Sequence, residues 1–331
     1  MSGLKKSYDV EVEVLTDERY GSGIIDDVPF KGVPHTDREE ALDQTITRFR
    51  PDVIFTQLMW SDVAMVAAKR HDVPSVLRVC KIPFETDICE GSHFSPTEII
   101  VVSEPVRDYV KEKFGRSSYA VPSAVDLDIL RSHFRPGHGR YIMMFNPLER
   151  KGGNIFRMLA ATMPDHEFAT VLGWSTLKNE PGSAQFSDAY IRRITESLGS
   201  VYTNNPKFVD MSDLANVTYL DPSPEVWKIY EQVKVLLVPS QWQETFGRVA
   251  LEGLALGIPT VASGVGGLAE IVGNAGIVVS DYELVSVWRE CLLKAVKDPA
   301  RYSESGKTRA RQYSLDNVLK AHQEVLMEAI R

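Results

Sequence analysis

The sequence predicts an α/β protein made of two doubly wound units, each with a parallel sheet covered by helices. Three observations carry that expectation. Short apolar runs alternate with amphipathic segments, as where Asp52-Val53-Ile54-Phe55-Thr56 is followed by the helix-like stretch 62–69; alternation of this kind builds a parallel sheet with helices on both faces. The same strand–helix rhythm recurs in the two halves, around a polar joint at Arg135-Pro136-Gly137-His138-Gly139. A length of 331 residues also suits two domains of ordinary size better than one.

Composition narrows the class. The chain is 44% hydrophobic and 25% charged, the balance of a soluble globular protein. A net charge of -8 argues against a general nucleic-acid-binding surface and leaves room for a local basic patch. Cys80, Cys89 and Cys291 are odd in number and scattered, which fits a reducing compartment rather than a disulfide framework. The His residues form no metal-ligand spacing, so no metal is expected. No run approaches 18 apolar residues and no signal-peptide pattern opens the chain, so a cytoplasmic protein is expected.

In the first half, Val10–Leu15 alternates and reads as a strand, and the Gly-, Asp- and Pro-rich segment up to Pro34 reads as loop. A helix is expected from Asp37, carrying Ala41, Leu42, Ile46 and Phe49. Strands follow at 52–56, 75–79 and 99–103, with a helix over 105–113 that Pro105 opens in its first turn. Ala120-Val121-Pro122 closes the series. That last helix has a basic face of Arg107, Lys111, Lys113 and Arg116. Such a face is ordinarily just solvated; its alternative is a weak peripheral contact with an anionic membrane.

Beyond the joint, strands are expected at 141–145, 168–173, 217–221, 235–239 and 259–263, and helices at 189–198, 226–232, 282–297 and 315–330. The loop Asn146-Pro147-Leu148-Glu149-Arg150-Lys151-Gly152-Gly153 precedes a helix through Ile155, Leu159 and Ala160. It sets two cations, Arg150 and Lys151, beside two glycines. Domain limits of 1–136, 137–312 and 313–331 result.

The chain is organised around 239–270, Pro-Ser-Gln-Trp-Gln-Glu-Thr-Phe-Gly-Arg followed by an apolar helix and a Gly-Val-Gly-Gly-Leu turn. From Val249 to Leu256 only Glu252 is polar, so the helix should be buried and its carboxylate needs a partner. Glu244 stands eight positions earlier. On a helix extended back that far the two acids would lie roughly 12 Å apart and about 80° out of line, a span suited to a ribose, a diphosphate and a sugar. The helix start between them offers free N–H groups, a seat for phosphate, and Gly247 allows close backbone approach. The bland alternatives are an internal hydrogen bond for Glu252, an exposed loop acid for Glu244, a solvated turn for Arg150 and Lys151, and plain turn glycines at Gly266 and Gly267. Trp174 and Trp242 are read as packing residues, and Cys80 as a small buried hydrophobe.

This stretch resembles the donor-site signature of retaining glycosyltransferases of family 4. The shared features are a Pro-Ser strand end, Glu244 and Glu252 with seven residues between them, Phe246-Gly247 at the turn, the Gly-Ile-Pro-Thr strand entry and the Gly-Gly-Leu-x-Glu turn at 266–270. The resemblance covers roughly residues 50–330. It implies the GT-B fold: two Rossmann-like domains with parallel sheets facing across a cleft, and a C-terminal helix returning to the N-terminal domain. It implies a nucleotide-diphosphate sugar donor (UDP-, GDP- or TDP-linked), a hydroxyl acceptor, and no metal or other cofactor. Residue by residue, it implies catalytic roles for Glu244, Lys151 and Arg150. It implies donor contacts from Glu252, Phe246, Gly247, Arg248, Gly266, Gly267, Leu268, Asn146, Gly173 and Leu220. Val102-Ser103-Glu104 and the Pro122-to-Asp126 turn match further family positions. The sequence departs from the pattern in three places. The family's first strand and glycine-rich loop are missing ahead of Val10, Cys80 stands where a His is common, and Asn146 stands where an Arg is usual, leaving Arg150 as its substitute. These departures keep open a non-catalytic nucleotide-sugar-binding subunit, or another GT-B enzyme such as a sugar-nucleotide epimerase.

Overall fold

A computed structural model of the chain describes residues 10–25, 27–82, 95–123, 125–137, 139–171, 208–221, 223 and 225–331. The chain forms two compact units, Met1–Ala124 together with Leu315–Arg331, and Val125–Ser314.

The first unit opens with β1 (Val14–Asp17), β2 (Gly23–Ile25) and β3 (Val28–Val33). They make a three-stranded sheet in the order β1-β3-β2, with β1 parallel and β2 antiparallel to β3. Val10–Leu15 was expected as the strand; the pairing begins only at Val14. The stretch read as loop contains the β2–β3 hairpin, with Asp27 at φ 63° in its turn and Val28 and Val33 buried. Its Gly, Pro and Asp residues mask a short strand whose support is tertiary.

Next come α1 (Arg38–Phe49), β4 (Ile54–Gln57), α2 (Ser61–Arg70), β5 (Ser75–Val79), β6 (Glu98–Val101), α3 (Glu104–Phe114) and β7 (Tyr119–Ala120). The four strands are parallel, in the order β4-β5-β6-β7. Leu42 and Ile46 of α1 and Ala64 and Ala67 of α2 pack on Ile54 and Leu15. The helix Leu315–Ile330 buries Val318, Val325 and Ala329 against Val76, Ile100 and Val121. The C-terminal helix therefore does return to the first unit. On α3, Arg107 is paired with Glu104, and Arg116 just beyond donates to the Pro96 carbonyl, so part of the basic face is engaged internally.

The second unit begins at Val125, ten residues before the Pro/Gly joint, because α4 (Leu127–His133) belongs to it. Leu130 joins its core, and the Arg131 Nε donates to the Ala255 carbonyl at 3.2 Å. Then follow β8 (Tyr141–Phe145), α5 (Gly153–Thr162), β9 (Phe168–Val171), β10 (Val217–Leu220), α6 (Val226–Tyr230) and β11 (Val233–Val238). After these come α7 (Arg248–Ala255), β12 (Thr260–Ser263), α8 (Gly267–Val272), β13 (Ile277–Val279), α9 (Val285–Lys297) and α10 (Pro299–Arg311). Strand β13 and helix α10 were not anticipated: the first is three residues long, and the second buries only Gly306 and Ala310. The expected helix 189–198 lies outside the described residues.

All six strands of this unit are parallel, in the order β10-β9-β8-β11-β12-β13. Counted within the unit this is 3-2-1-4-5-6, the Rossmann order, whose direction of winding reverses between β8 and β11. Ile142 and Met144 face one core with Phe156, Phe168 and Trp288. Tyr141 and Met143 face the other with Tyr230, Leu236 and Ile258. Strands buried on both faces explain the continuous apolar runs in the sequence. Among the described residues no helix is long and apolar enough to cross a membrane.

His322 of the C-terminal helix lies with its ring centroid 6.1 Å from that of Phe55, and its Nδ1–H donates to the Val318 carbonyl at 2.8 Å. Burial lowers its pKa below the usual 6.5, the Val318 bond opposes this, and the nearby Arg78 charge lowers it further. Below about pH 6.5 the unfolded chain binds a proton that the native helix rejects, so stability falls as pH drops toward the folded pKa. We expect His322→Gln to weaken this dependence. Thermal midpoints recorded between about pH 7 and pH 5 should converge for the two proteins on the acid side.

Candidate functional site

In a doubly wound sheet, ligands bind outside the carboxyl ends of the strands where the winding reverses. Here that point is flanked by the loops following β8 and β11, and these two loops are locked together through their backbones. Gly152, at φ 85°, lies so close to Pro239 that an added Cβ would sit 1.9 Å from its carbonyl oxygen. Beside it the Gln241 amide donates to the Arg150 carbonyl at 2.9 Å. Only glycine permits both the dihedral and the approach. The contact brings Arg150 and Lys151 of one loop against Ser240, Trp242 and Glu244 of the other.

The result is a compact charged cluster. The Lys151 ammonium donates to Glu244 Oε1, and Ser240 Oγ donates to the same oxygen at 2.7 Å. Their side chains are 25% (Lys151) and 12% (Glu244) exposed. Burial alone would raise the Glu244 pKa; the Lys151 charge and the hydrogen bonds from Lys151 and Ser240 outweigh it and hold the carboxyl below its usual value. Trp242 offers its ring face to both cations, with the Arg150 guanidinium 4.5 Å and the Lys151 ammonium 5.2 Å from the centroid. Such contacts are worth about 0.5–2 kcal/mol each, more when desolvated.

The third loop, after β12, grips Glu244 by its main chain. Gly267 N–H donates to the Glu244 carbonyl at 2.6 Å. A Cβ on Gly266, at φ 51°, would stand 2.2 Å from that same oxygen. Gly266 and Gly267 thus serve first as the close-packed support of Glu244.

Glu252 belongs to a separate group. Helix α7 starts at Arg248 with Gly247 as its N-cap, so Glu244 precedes the helix and the spacing inferred from a helix extended back to it does not apply. Glu252 Oε2 accepts from the Tyr230 hydroxyl at 2.7 Å and Oε1 from Arg248 Nε at 3.1 Å. Burial, then the Glu252 charge, push the Tyr230 phenol well above its usual pKa, so it stays protonated and donates. Arg248 is 68% exposed and Glu252 13%, which leaves one side of the carboxylate toward solvent.

The other expected contacts are placed as follows. Asn146 takes φ 63° at the exit of β8, with its N–H on the Val171 carbonyl. Phe246 and Leu268 are buried, Phe246 edge-on to Tyr313 at 6.1 Å, so neither side chain faces solvent. Leu220 ends β10, half-buried on the second core. Gly173 and Trp174 lie outside the described residues. In the first unit, Ser103 is buried at the start of α3 and Cys80 is half-buried just past β5; in the second, Asp126 caps α4 by accepting from Ile129 N–H at 2.9 Å. Among the described residues no three His, Cys, Asp or Glu side chains gather as a metal site.

Sequence reasoning did not single out Tyr230, and took Ser240 only as part of the Pro-Ser strand end. Ser240 had a local signal, four residues before Glu244 at the end of an apolar strand. Tyr230 had none, since 22 residues separate it from Glu252. Trp242 was read as packing and does pack, but its partners are the two cations.

Known proteins resemble this chain in sequence over part of its length and in fold. Residues 212–313 match the family described as Glycosyl transferases group 1. A D-inositol 3-phosphate glycosyltransferase of Corynebacterium diphtheriae is 28% identical over 180 residues, 52% of this chain and 38% of that protein. The chain thus spans less than half the length of this curated relative. Among solved structures, Anabaena HepE in complex with UDP and glucose superposes with a TM-score of 0.69 at 15% identity, over 99% of this chain and 94% of that one. Sucrose-phosphate synthase of Thermosynechococcus elongatus gives 0.68 at 17%, over 99% and 91%. What is shared with these structures is the fold, and that fold is GT-B, an α/β architecture with two Rossmann-like units.

The Tyr230–Glu252 bond gives a direct test. Removing a donor from a partly buried carboxylate costs about 1–3 kcal/mol. Tyr230→Phe should lower the denaturation midpoint with an unchanged slope, and the loss should shrink in a Glu252→Gln background, as read by urea titration.

Proposed function

We propose that the protein is a retaining, metal-independent glycosyltransferase that moves a sugar from a nucleotide-diphosphate donor to a hydroxyl acceptor. The observation that carries this reading is the Lys151–Glu244–Ser240 cluster, with Arg150 beside it, at the reversal of the 3-2-1-4-5-6 sheet. The match of 212–313 to Glycosyl transferases group 1 supports it. So do the UDP and glucose of HepE and the name of the Corynebacterium relative.

In this reading the second unit holds the donor. Its diphosphate lies against Lys151 and Arg150, and the N–H groups at the start of α7 add their partial positive charge. As the bond from sugar to diphosphate breaks, negative charge grows on the leaving oxygen and positive charge on the sugar ring. Fixed cations that are already desolvated stabilise the leaving group without reorganising. Glu244, held ionised by Lys151 and Ser240, is too weak a base at neutral pH for efficient proton abstraction and instead accepts from donor hydroxyls. The departing phosphate takes the acceptor proton. Glu252, oriented by Tyr230, accepts from the ribose hydroxyls. A UDP donor is preferred, by analogy with HepE.

Two substitutions separate these roles. Lys151→Ala should lower transfer by about 100-fold or more in the presence of excess chelator, while the thermal midpoint shows a folded protein; retained turnover would mean that the leaving group is neutralised elsewhere. Glu252→Ala should weaken UDP binding about tenfold or more by calorimetry, and an unchanged affinity would remove its ribose role. UDP-sugar binding without hydrolysis or transfer to any of a broad acceptor set would favour a non-catalytic binder, the reading suggested by Cys80.

A further inference from the structure

The first unit holds an arginine where its neighbours are apolar. On β5, Val76 packs beneath the C-terminal helix with Ile100 and Val121. Arg78, two residues on, continues the same face of the sheet at its carboxyl end. It is aligned across the strands with Gln57 on β4. Its Nη1 reaches Gln57 Oε1 at 3.4 Å and its Nη2 donates to Ser123 Oγ, beyond β7, at 3.0 Å. Both partners are neutral. Nε is buried without a hydrogen-bond partner. Among the described residues no carboxylate pairs with Arg78; the titratable group acting on it is the Cys80 thiol, while burial pulls the guanidinium below its ordinary pKa. His322, from the helix covering this face, feels the Arg78 charge and is itself held toward its neutral form.

A guanidinium does not shed its proton in a protein, so this charge remains, half-buried and, among the described residues, without a carboxylate partner. That arrangement is costly unless an anion completes it. Gln57 is solvent-exposed at the rim, so the row opens outward, at the strand ends where doubly wound sheets take ligands. We propose that Gln57, Arg78 and Ser123 form an anion seat in the first unit that takes the phosphate or carboxylate of a small polyhydroxy compound. Arg78 grips two oxygens of that group with its planar fork, and the Gln57 amide and Ser123 hydroxyl accept or donate at its edges. Calling this compound the sugar acceptor rests on the glycosyltransferase reading; the anion seat itself does not.

The experiment is calorimetry on the full chain with glycerol 3-phosphate and glycerate, and glycerol as the neutral control. It is done in a Lys151→Ala background so that the second unit does not capture the anion. We expect at least one anion to bind and glycerol not to. Arg78→Gln should weaken anion binding roughly tenfold or more, and Ser123→Ala severalfold. Arg78→Met should keep or raise the thermal midpoint in anion-free buffer, because it removes an uncompensated charge, and should abolish the rise in midpoint that the anion gives the parent. Failure of both anions to bind, or equal binding after Arg78→Gln, would overturn the proposal. So would a large fall in midpoint for Arg78→Met, which would mark Arg78 as structural. UDP affinity, measured with Lys151 intact, should not change in Arg78→Gln. The donor site and the anion seat can therefore fail separately.

Discussion

The second unit depends on one buried charge pair. Glu244 is almost wholly out of water, and a carboxylate so placed is tolerated only with strong partners. Lys151 and Ser240 supply them, from opposite sides of the point where the sheet reverses. Removing one member of a pair this far out of water leaves the other uncompensated, which costs more than an exposed pair contributes. The surrounding backbone is arranged around that pair. Gly152 meets Pro239, the Gln241 amide meets the Arg150 carbonyl, and Gly266 and Gly267 close on the Glu244 carbonyl. Three loops from three strands are thus fixed relative to one another, and both cations are aimed at one place before any ligand arrives.

The two acids, with seven residues between them in the motif, face different electrostatics. Glu244 is neutralised by an ammonium within a rigid cluster. Glu252 is held by a neutral hydroxyl on its buried side and by an exposed arginine on the other. An incoming ligand that draws on Lys151 exchanges one anionic partner for another, so its gain is the difference between two strong interactions. A ligand hydroxyl that meets Glu252 has only the flexible, solvated Arg248 contact to displace, while Tyr230 keeps the carboxylate oriented. The first acid is suited to selecting for a charged group placed nearby, the second to reading hydroxyl geometry.

Much of this was legible in the sequence, and the reason is local. Strand β8 is a continuous apolar run, and β9 and β11 are nearly so, because both of their faces are buried, and α7 stands out because a single acid interrupts it. The glycines at 152, 266 and 267 mark backbone contacts that no other residue permits. What was not legible depends on partners distant in sequence. The β2–β3 hairpin is short and rich in turn formers. Helix α10 packs on α7 through small residues, with Gly306 close over Leu254, and so shows little apolar periodicity. The unit boundary precedes the Pro/Gly joint because Leu130 and Arg131 pack onto the second unit. Tyr230 could not be matched to Glu252 because the bond joins the C-terminal end of one helix to the middle of another. The spacing worked out on a helix extended back to Glu244 does not apply, because the helix begins only after Gly247, its N-cap at φ 102°.

The two units treat their buried cations differently, and the contrast bears on function. In the second unit Lys151 has an internal counter-ion, so the protein is electrostatically complete without a ligand. Among the described residues, the side-chain partners of Arg78 in the first unit are a serine hydroxyl and, at longer range, a glutamine amide, with His322 held toward its neutral form above it. A neutral hydrogen-bonding shell can satisfy a guanidinium's N–H groups but cannot cancel its charge, and the nearby core of Val76, Ile100 and Val121 offers no screening. If the role of Arg78 were to pack the sheet edge, a methionine or leucine would do so without the desolvation cost. The cost makes sense where the charge itself is used.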